Sequence, residues 1–439
     1  MITTALIVAL ATLAQPAGQP PVKGPGATSQ PAPAPGSHQA APPAHADGPE
    51  ALKGPPLDFR KLEAPLLTHH IQLTTREQFR KAGESYFSPD NEWVIFQATP
   101  ASATAADPYG MYVGHLEKDK DGHITGFTQI TRVSAPDTAN TCSWFHPSDP
   151  SRVLFGSTVT KPKEEPKSGF QVGTNKYVWQ FPGEMEVVEC KPFIVEGKKR
   201  MGIDKNMAAP KPVFTLPNYD AECSWSNDGR FILYSHIEDA KEGQRPDANI
   251  YIYDTKTKKH IPIVIAPGYD GGPFYSPDNK SICYRSDRKG NDVLQLFVAD
   301  LKFAKDADGT MVPVGIEKEY QLTDSETVVS WCPYWHPSGK YMIYATSEVA
   351  HSNYEVFAIE TDMAKLRAGA SPSSMRRARV TFADGADVLP VFSADGKYMI
   401  WTAQRGPRAE GDAKPSSQLW IAEWNGDPFA QPKKDTGGR

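Results

Sequence analysis

Acidic side chains recur at equivalent places in a repeated hairpin pattern, and their types and spacing are the ones best suited to chemistry. When the hairpins are aligned on the first residue of each turn, Asp220, Asp270 and Asp387 stand six positions before it, and Glu84 and Glu222 stand four positions before it. Residues two apart on a strand share a face. Strands arranged around an axis would therefore present these carboxylates as one acidic rim.

An acidic rim would raise the local concentration of cations or of basic peptide segments. The alternative is that each Asp only stabilises a loop by accepting hydrogen bonds from nearby backbone N–H groups. Paired carboxylates would also suit glycoside chemistry if they stood at the separation that this chemistry requires. The sequence leaves these readings open.

The longest insertion between two strands, residues 158–181, carries a second set of candidates. Its charged stretch KPKEEPK is followed by three aromatic side chains, Tyr177, Trp179 and Phe181. Loops on a rigid scaffold commonly carry recognition, and aromatic anchors dominate many interfaces. These residues are therefore candidates for a partner-binding loop, and the alternative is that they seat the loop on the body of the protein.

Motifs for catalysis and for cofactor binding are missing from the sequence. It contains no G-x-S-x-G nucleophile elbow, HExxH, P-loop or dinucleotide fingerprint. EKDKDG (117–122) starts like a calcium loop, but Thr128 stands where calcium requires a bidentate Glu. His69 and His70 are neighbours whose side chains point to opposite faces of a strand. The five cysteines form no CxxC pair and lie in strand patterns, which favours buried thiols. We predict no catalytic residue, no metal site and no cofactor.

Six segments share one hairpin pattern, with an aromatic residue before the turn and another at the end of the second strand. Pro early in the turn presets φ, and a later Asn or Gly accepts the left-handed conformation. The second segment has an extra residue after Asp149, and we expect a bulge there. His146 and His336 take the turn position that Ser holds elsewhere, which indicates a structural role. The segments are SYFSPDNEWVIFQA (85–98), SWFHPSDPSRVLFGS (143–157), CSWSNDGRFILYSH (223–236), PFYSPDNKSICYRS (273–286), PYWHPSGKYMIYAT (333–346) and PVFSADGKYMIWTA (390–403).

Each hairpin is followed by a third apolar stretch, and most by a short fourth one. Four strands per unit and six units are typical of an all-β, six-bladed β-propeller of four-stranded antiparallel blades. The sixth unit lacks a fourth strand, whereas IQLT (71–74) has that pattern with no hairpin before it. We predict that this N-terminal strand closes the ring at the outer edge of blade six. The third stretches are 111–115, 185–189, 250–254, 296–300, 356–360 and 419–423, and the fourth are 129–131, 213–215, 263–265, 321–323 and 379–381.

The SPDG-like hairpins resemble the WD40-like, or PD40-type, repeat of the TolB-like family of periplasmic six-bladed propellers. The resemblance runs from residue 66 to about 425. TolB carries an α/β domain ahead of its propeller, whereas only a Pro/Ala-rich segment stands there in this chain, which therefore looks like a propeller-only relative. The resemblance implies a non-catalytic propeller that binds a protein or peptide in the cell envelope, with envelope or transport functions. The alternative is a propeller enzyme that acts on carbohydrate in its central cleft, as oligogalacturonate lyases and some glycosidases do.

The N-terminal residues indicate export. Residues 1–14 contain a short apolar run that resembles a signal peptide, and 15–60 form a Pro/Ala-rich linker. The propeller is expected over 66–427 and a polar tail over 428–439. We expect a periplasmic or secreted monomer with no membrane span in the mature chain. The net charge of −5 disfavours nucleic acid as a partner.

Overall fold

Six four-stranded antiparallel sheets, with two small extra hairpins, make up the part of the chain that the structure describes. The structure is a computed structural model, and it describes residues 58–104, 107–163, 169–171, 176–178, 182–238, 247–412 and 414–430. The predicted signal peptide and residues 15–57 of the predicted linker lie outside the described residues. The last residues of that linker enter a short helix, α1 (Phe59–Glu63), which Asp58 caps through Lys61 N at 3.4 Å.

The strands follow the chain blade by blade. Blade one holds β2 (Phe79–Phe87), β3 (Trp93–Pro100), β4 (Gly110–Lys118) and β5 (Ile124–Arg132), and blade two holds β6 (Asn140–Phe145), β7 (Val153–Ser157), β10 (Glu186–Cys190) and β13 (Lys211–Pro212). The extra hairpins of blade two are β8 (Gly169–Gln171) with β9 (Lys176–Val178), and β11 (Phe193–Glu196) with β12 (Lys199–Ile203). Blade three holds β14 (Asp220–Trp225), β15 (Phe231–Ile237), β16 (Ala248–Asp254) and β17 (Lys259–Val264).

The second half of the ring repeats this order. Blade four holds β18 (Asp270–Tyr275), β19 (Ser281–Ser286), β20 (Gln295–Lys305) and β21 (Met311–Gln321), and blade five holds β22 (Ser330–Trp335), β23 (Tyr341–Ala350), β24 (Asn353–Glu360) and β25 (Arg377–Arg379). Blade six holds β26 (Asp387–Phe392), β27 (Tyr398–Ala403), β28 (Gln418–Trp424) and β1 (Leu67–Gln72). Helix α2 (Met363–Arg367) and a 3-10 turn (Pro372–Ser374) lie between β24 and β25.

The predicted closure of the ring by an N-terminal strand is confirmed. Strand β1 pairs antiparallel with β28, with Leu67 opposite Trp424 and Ile71 opposite Ile421. The strand begins earlier than the predicted residues 71–74, and Leu73 N continues the ladder by donating to Leu419 O at 2.8 Å. The six innermost strands contact one another in chain order, and β26 contacts β2 again. Because both ends of the ring meet in blade six, the described sheets form a closed six-bladed propeller.

The aromatic residue predicted to end each second strand lies within that strand, which continues beyond it, and forms the centre of the blade. All six are fully buried, because aromatic side chains fill the space between twisted neighbouring sheets. Burial of each such side chain stabilises the fold by about 1.5–3 kcal/mol relative to exposure. The residues are Phe96, Phe155, Tyr234, Tyr284, Tyr344 and Trp401.

Side-chain hydrogen bonds within the hairpin turns explain the repeated Ser-Pro-Asp pattern. Ser226 Oγ donates to Asp228 at 2.6 Å and accepts from Phe231 N at 2.9 Å. His146 Nδ1 accepts from Asp149 N at 2.9 Å, and His336 Nδ1 accepts from Ser338 N at 3.1 Å. Each imidazole therefore has the predicted structural role, although it accepts from a backbone N–H two or three residues on, whereas Ser226 Oγ accepts from one five residues on.

Two local predictions for blade two are wrong. The extra residue near Asp149 does not bulge the ladder, because Phe145 still pairs directly with Val153 and the longer turn accommodates the residue. The fourth strand is Lys211–Pro212 rather than 213–215, although Val213 N continues the ladder by donating to Val187 O at 2.9 Å.

The five cysteines are buried and free, as the strand patterns indicated. Among the described residues, no helix is long and apolar enough to cross a membrane.

Candidate functional site

One residue with positive φ interrupts the innermost strand of every blade, at the position four before the turn. The pairing register of the first two strands shifts at this point in all six blades, which makes it a β-bulge. A bulge bends the strand and re-aims the side chain. The residues and their φ values are Glu84 (39°), Cys142 (36°), Glu222 (58°), Gly272 (58°), Cys332 (48°) and Leu389 (54°).

The bulges of blades one and three bring Glu84 and Glu222 together around Arg285. Glu222 accepts from Tyr269 OH at 2.7 Å on both oxygens, from Gly272 N at 2.5 Å and from Arg285 Nη2 at 3.3 Å. Arg285 also donates to Tyr269 OH at 2.7 Å. Burial by itself would lower the pKa of Arg285, but the negative charge of Glu222 and the Tyr269 oxygen hold it well above its usual value. Arg285 is therefore charged and paired.

Glu84 completes this buried set, which we call the Arg285 cluster (Glu84, Cys142, Glu222, Tyr269 and Arg285). Cys142 Sγ donates to Glu84 Oε1 at 2.8 Å, and Thr141 Oγ1 donates to Oε2 at 3.3 Å. Burial raises the pKa of Glu84. The Glu222 carboxylate raises this pKa further, and the charge of Arg285 lowers it. Burial also raises the pKa of the Cys142 thiol, so this sulfur is a hydrogen-bond donor and not a reactive thiolate.

A Gly at the bulge of blade four makes room for Arg285. A Cβ on Gly272 would lie 2.2 Å from Arg285 Nη1. Sequence reasoning missed Arg285, although a signal was present. The equivalent second-strand residues of the other blades are neutral, namely Gln97, Gly156, Ser235, Ala345 and Thr402, and the Arg occurs in the blade whose bulge residue is Gly.

The three aspartates of the predicted rim lie outside the Arg285 cluster, and each has its own side-chain partner. Asp220 Oδ1 lies 2.8 Å from His236 Nδ1, and Asp270 Oδ1 accepts from Arg288 Nη2 at 2.9 Å. Asp387 pairs with Arg405. All three aspartates are fully buried, and Arg288 and Arg405 supply positive charge beside Asp270 and Asp387 inside the blades. Whether any of the five acidic residues binds a ligand stays a prediction.

Glu186 is an acidic residue that the sequence analysis did not select. It lies on β10, and burial and then the Asp220 carboxylate raise its pKa to about 7. Glu186 Oε2 and Asp220 Oδ2 are buried and have no hydrogen-bond partner among the described residues. Glu186 belongs to a third strand, where no aligned acidic pattern drew attention to it.

Four aromatic rings fill the propeller axis next to the Arg285 cluster. We call them the aromatic plug: Tyr86, Trp144, Phe274 and Tyr334, each two residues before its turn. Tyr86 of blade one packs on Phe274 of blade four with centroids 5.8 Å apart, and Trp144 of blade two packs on Tyr334 of blade five at 6.1 Å. These blades are opposite each other in a six-membered ring. The side chains therefore meet across the axis and close it.

The channel mouth is the end of the axis where the innermost strands begin, and we define it by Lys81, Tyr109, Tyr219, Tyr269 and Trp331. Lys81 occupies the position that Tyr219 and Tyr269 hold in blades three and four, seven residues before the turn. Its Nζ lies 4.1 Å from the centroid of the Tyr109 ring. Burial, and then Arg80, lower the pKa of Lys81. Lys81 makes no ion pair with any residue that the structure describes.

The predicted partner-binding loop is only partly described. Tyr177 lies in β9, where its backbone pairs with Phe170 of β8. Trp179 and Phe181 lie outside the described residues. The role of these three aromatics stays a prediction.

Comparisons with known proteins find partial similarity to proteins of different activity. No family model matches the chain. The uncharacterized peptidase YuxL of Bacillus subtilis is 24% identical over 204 residues, which cover 41% of this chain and 28% of YuxL. Dipeptidyl-peptidase 5 of Porphyromonas gingivalis is 32% identical over 149 residues, covering 32% of this chain and 20% of that protein. The matches thus span less than a third of these relatives.

Solved structures similar to this chain include TolB from Acinetobacter baumannii and an oligogalacturonate lyase from Vibrio parahaemolyticus. The TolB structure is 14% identical with a TM-score of 0.41, over 78% of this chain and 63% of TolB. The lyase is 9% identical with a TM-score of 0.41, over 81% of this chain and 93% of the lyase. The assignment as a propeller rests on the sheet topology above.

Proposed function

We propose that the protein is a propeller that binds an acidic segment of a protein or peptide at the channel mouth, without catalysing a reaction there. The observation that carries this proposal is the charge pattern of the mouth. The buried acidic residues of the predicted rim already have ion-pair or hydrogen-bonding partners, whereas Lys81 at the mouth is partly buried and has no ion-pair partner among the described residues.

The sign of the ligand charge follows from this pattern. Desolvation of an ammonium group is unfavourable unless an anion compensates it. A carboxylate of a bound segment would supply that anion beside Lys81. The acidic rim predicted from the sequence would favour a basic ligand, and the arginine partners of Glu222, Asp270 and Asp387 weigh against that alternative.

The closed axis limits where a ligand can sit. Because the aromatic plug spans the ring between opposite blades, a chain segment would stop at the mouth. Glu222 accepts hydrogen bonds from Tyr269 OH, Gly272 N and Arg285 Nη2, so this carboxylate is not poised to take a proton from a substrate. These contacts favour binding over glycoside chemistry at the Arg285 cluster.

Site-directed photo-crosslinking tests this proposal. A photoreactive amino acid in place of Tyr109, at the mouth, should crosslink a protein partner from envelope extract, and Lys81→Ala in the same chain should abolish the adduct. The matched control places the same group at Lys280, in a hairpin turn at the opposite end of a blade. Equal adducts from both positions, or an adduct unchanged by Lys81→Ala, would contradict the proposal.

The second candidate is an enzyme that acts on carbohydrate, and Glu186 is the observation that favours it. A carboxyl group with a pKa of about 7 beside a second carboxyl group can act as a general acid or base. Turnover of a polysaccharide panel by the wild-type protein, lost in Glu186→Gln, would support this candidate over binding alone.

The location outside the cytoplasm belongs to the same proposal. The signal-like residues 1–14 support it. N-terminal sequencing of the protein recovered from the periplasmic and culture fractions tests it. An intact Met1 on protein confined to the cytoplasm would contradict export.

A further inference from the structure

Two histidines and a glutamate meet on the surface where blade six adjoins blade one. His69 comes from β1, His123 from the turn between β4 and β5, and Glu423 from β28. His69 Nδ1 lies 2.9 Å from Glu423 Oε2, and His123 Nδ1 lies 2.5 Å from Oε1. The two imidazole rings stack with centroids 4.0 Å apart. One potential ligand atom of each residue lies within 4.8 Å of the other two.

Local backbone features aim each histidine at this point. His69 has φ of 51° and lies where the pairing of β1 with β28 shifts between Thr68 and Ile71. A left-handed residue costs a non-glycine side chain about 1–2 kcal/mol, so the bulge has to be held by its surroundings. It turns the His69 ring away from His70, whose Nε2 instead lies 2.8 Å from Glu63 Oε2.

The turn that carries His123 is the one whose sequence begins like a calcium loop. Its carboxylates serve the turn itself, because Asp119 Oδ1 accepts from Asp121 N at 2.9 Å and from His123 N at 3.0 Å. Tyr398 OH of blade six donates to Gly122 O at 3.3 Å. The turn is thereby held against blade six, with the His123 ring facing Glu423.

We propose that His69, His123 and Glu423 bind one zinc ion, which fastens the closing strand β1 to β28 and to blade one. Two imidazole nitrogens and one carboxylate oxygen form a donor set that zinc prefers. The side chains of His69, His123 and Glu423 are 51%, 38% and 24% exposed. The site therefore has access to solvent, and water can take the fourth position of a tetrahedral zinc.

The position of the site gives the ion a structural effect. β1 is held in blade six by its ladder with β28, and this ladder is the joint at which the ring closes. An ion shared by His69 and Glu423 would add a second fastening at that joint. His123 would extend it to the neighbouring blade.

Zinc titration of the full-length chain, freed of any affinity tag and of bound metal, tests the proposal. We expect one zinc per chain by calorimetry and a melting temperature that rises with zinc, because a ligand that binds only the folded state stabilises it. His69→Ala and His123→Ala should each weaken binding by more than about 100-fold, since losing even an outer-shell partner costs about 10–100-fold. His351→Ala, which alters a histidine outside the cluster, should bind as the wild type does.

Each variant is compared with itself with and without zinc, so a loss of basal stability cannot imitate loss of the site. Absence of zinc binding by the wild type would overturn the proposal. Unchanged zinc binding by the double variant His69→Ala/His123→Ala would do the same, and so would tighter binding of calcium than of zinc.

Discussion

A single guanidinium, that of Arg285, acts on two buried carboxylates near the axis of the ring. Arg285 pairs with Glu222 directly, and its charge opposes the effect of burial on the pKa of Glu84. Removing one partner from a buried pair leaves an uncompensated charge, which costs about 3–5 kcal/mol. Gly272 is part of this arrangement because any side chain there would meet the guanidinium.

Gly272→Ala should therefore displace Arg285 and lower the free energy of unfolding by about 3–5 kcal/mol, the cost of breaking a buried pair. Gly290→Ala is the matched control. Gly290 also has a positive φ, of 74°, but a Cβ there would meet nothing within 4 Å. Its expected cost is only the backbone strain of about 1–2 kcal/mol. Urea unfolding of both variants measures the difference, and equal losses would show that Gly272 does not act through Arg285.

Glu186 should make the protein less stable as the pH rises from about 4.5 to about 7. Its pKa is higher in the folded than in the unfolded state, so across this range the folded state binds more protons. Stability then falls with rising pH and levels off above the folded-state pKa. Glu186→Gln cannot ionise and should remove this contribution. Unfolding at about pH 5 and about pH 8 compares the two chains, and identical pH dependence would contradict the raised pKa.

At the scale of elements, β1 and α1 tie the start of the propeller to its last blade. Leu67 of β1 is fully buried, and Glu63 at the end of α1 accepts from Arg405 at 3.0 Å through each oxygen. Arg405 also pairs with Asp387 on β26. Asp387, which the sequence analysis assigned to the acidic rim, thus contacts the same arginine that holds Glu63 of the N-terminal helix.

Removing β1 should sharply lower thermal stability. Burial of Leu67 and Leu73 contributes about 3–6 kcal/mol, at about 1.5–3 kcal/mol per side chain, and the outer edge of β28 loses its partner. A chain that begins at Arg76 is compared with one that begins at Asp58, which retains α1 and β1. Equal melting temperatures would contradict the closing role of β1.

At the scale of the whole molecule, the ring makes each blade depend on both of its neighbours. Each innermost strand contacts the innermost strands on either side, including those of blades six and one. Open arrays of repeats lose cooperativity more easily, because each unit contacts only its neighbours and the end units lack one.

Unfolding of the chain that begins at Asp58 should therefore be one cooperative transition, with coincident tryptophan fluorescence and far-ultraviolet circular dichroism. In the chain that begins at Arg76, blades six and one should unfold first, so that the two signals separate. Trp401 and Trp420 report on blade six. Coincident transitions in both chains would mean that closure is not the source of cooperativity.

Much of the fold was predictable because its signals are local. Phe87, the Ser-Pro-Asp turn at 88–90 and Phe96 lie within one hairpin, and the same spacing of the two aromatics recurs in every blade except blade two, which has one extra turn residue. The two errors in blade two have separate causes. A turn can absorb an extra residue without altering the ladder, and a two-residue fourth strand leaves almost no pattern.

The candidate site was less predictable, because equivalent positions have different partners in each blade. The alignment correctly grouped Glu84 with Glu222, which meet around Arg285, but it also grouped them with Asp220, Asp270 and Asp387. A repeat pattern reports where a side chain starts on its strand. It does not report the cation that an adjacent strand or loop places beside it.

Local patterns in the sequence were sufficient to predict the six hairpins, their turn chemistry, the four-strand units and the unpaired N-terminal strand. Each of these patterns depends on residues a few positions apart. Only the tertiary structure decided which charges are paired, that aromatic rings close the axis, and that His69 and His123 share Glu423. Glu423 lies 354 residues from His69 and 300 from His123. Ring closure brings such distant residues together, and no local pattern encodes that contact.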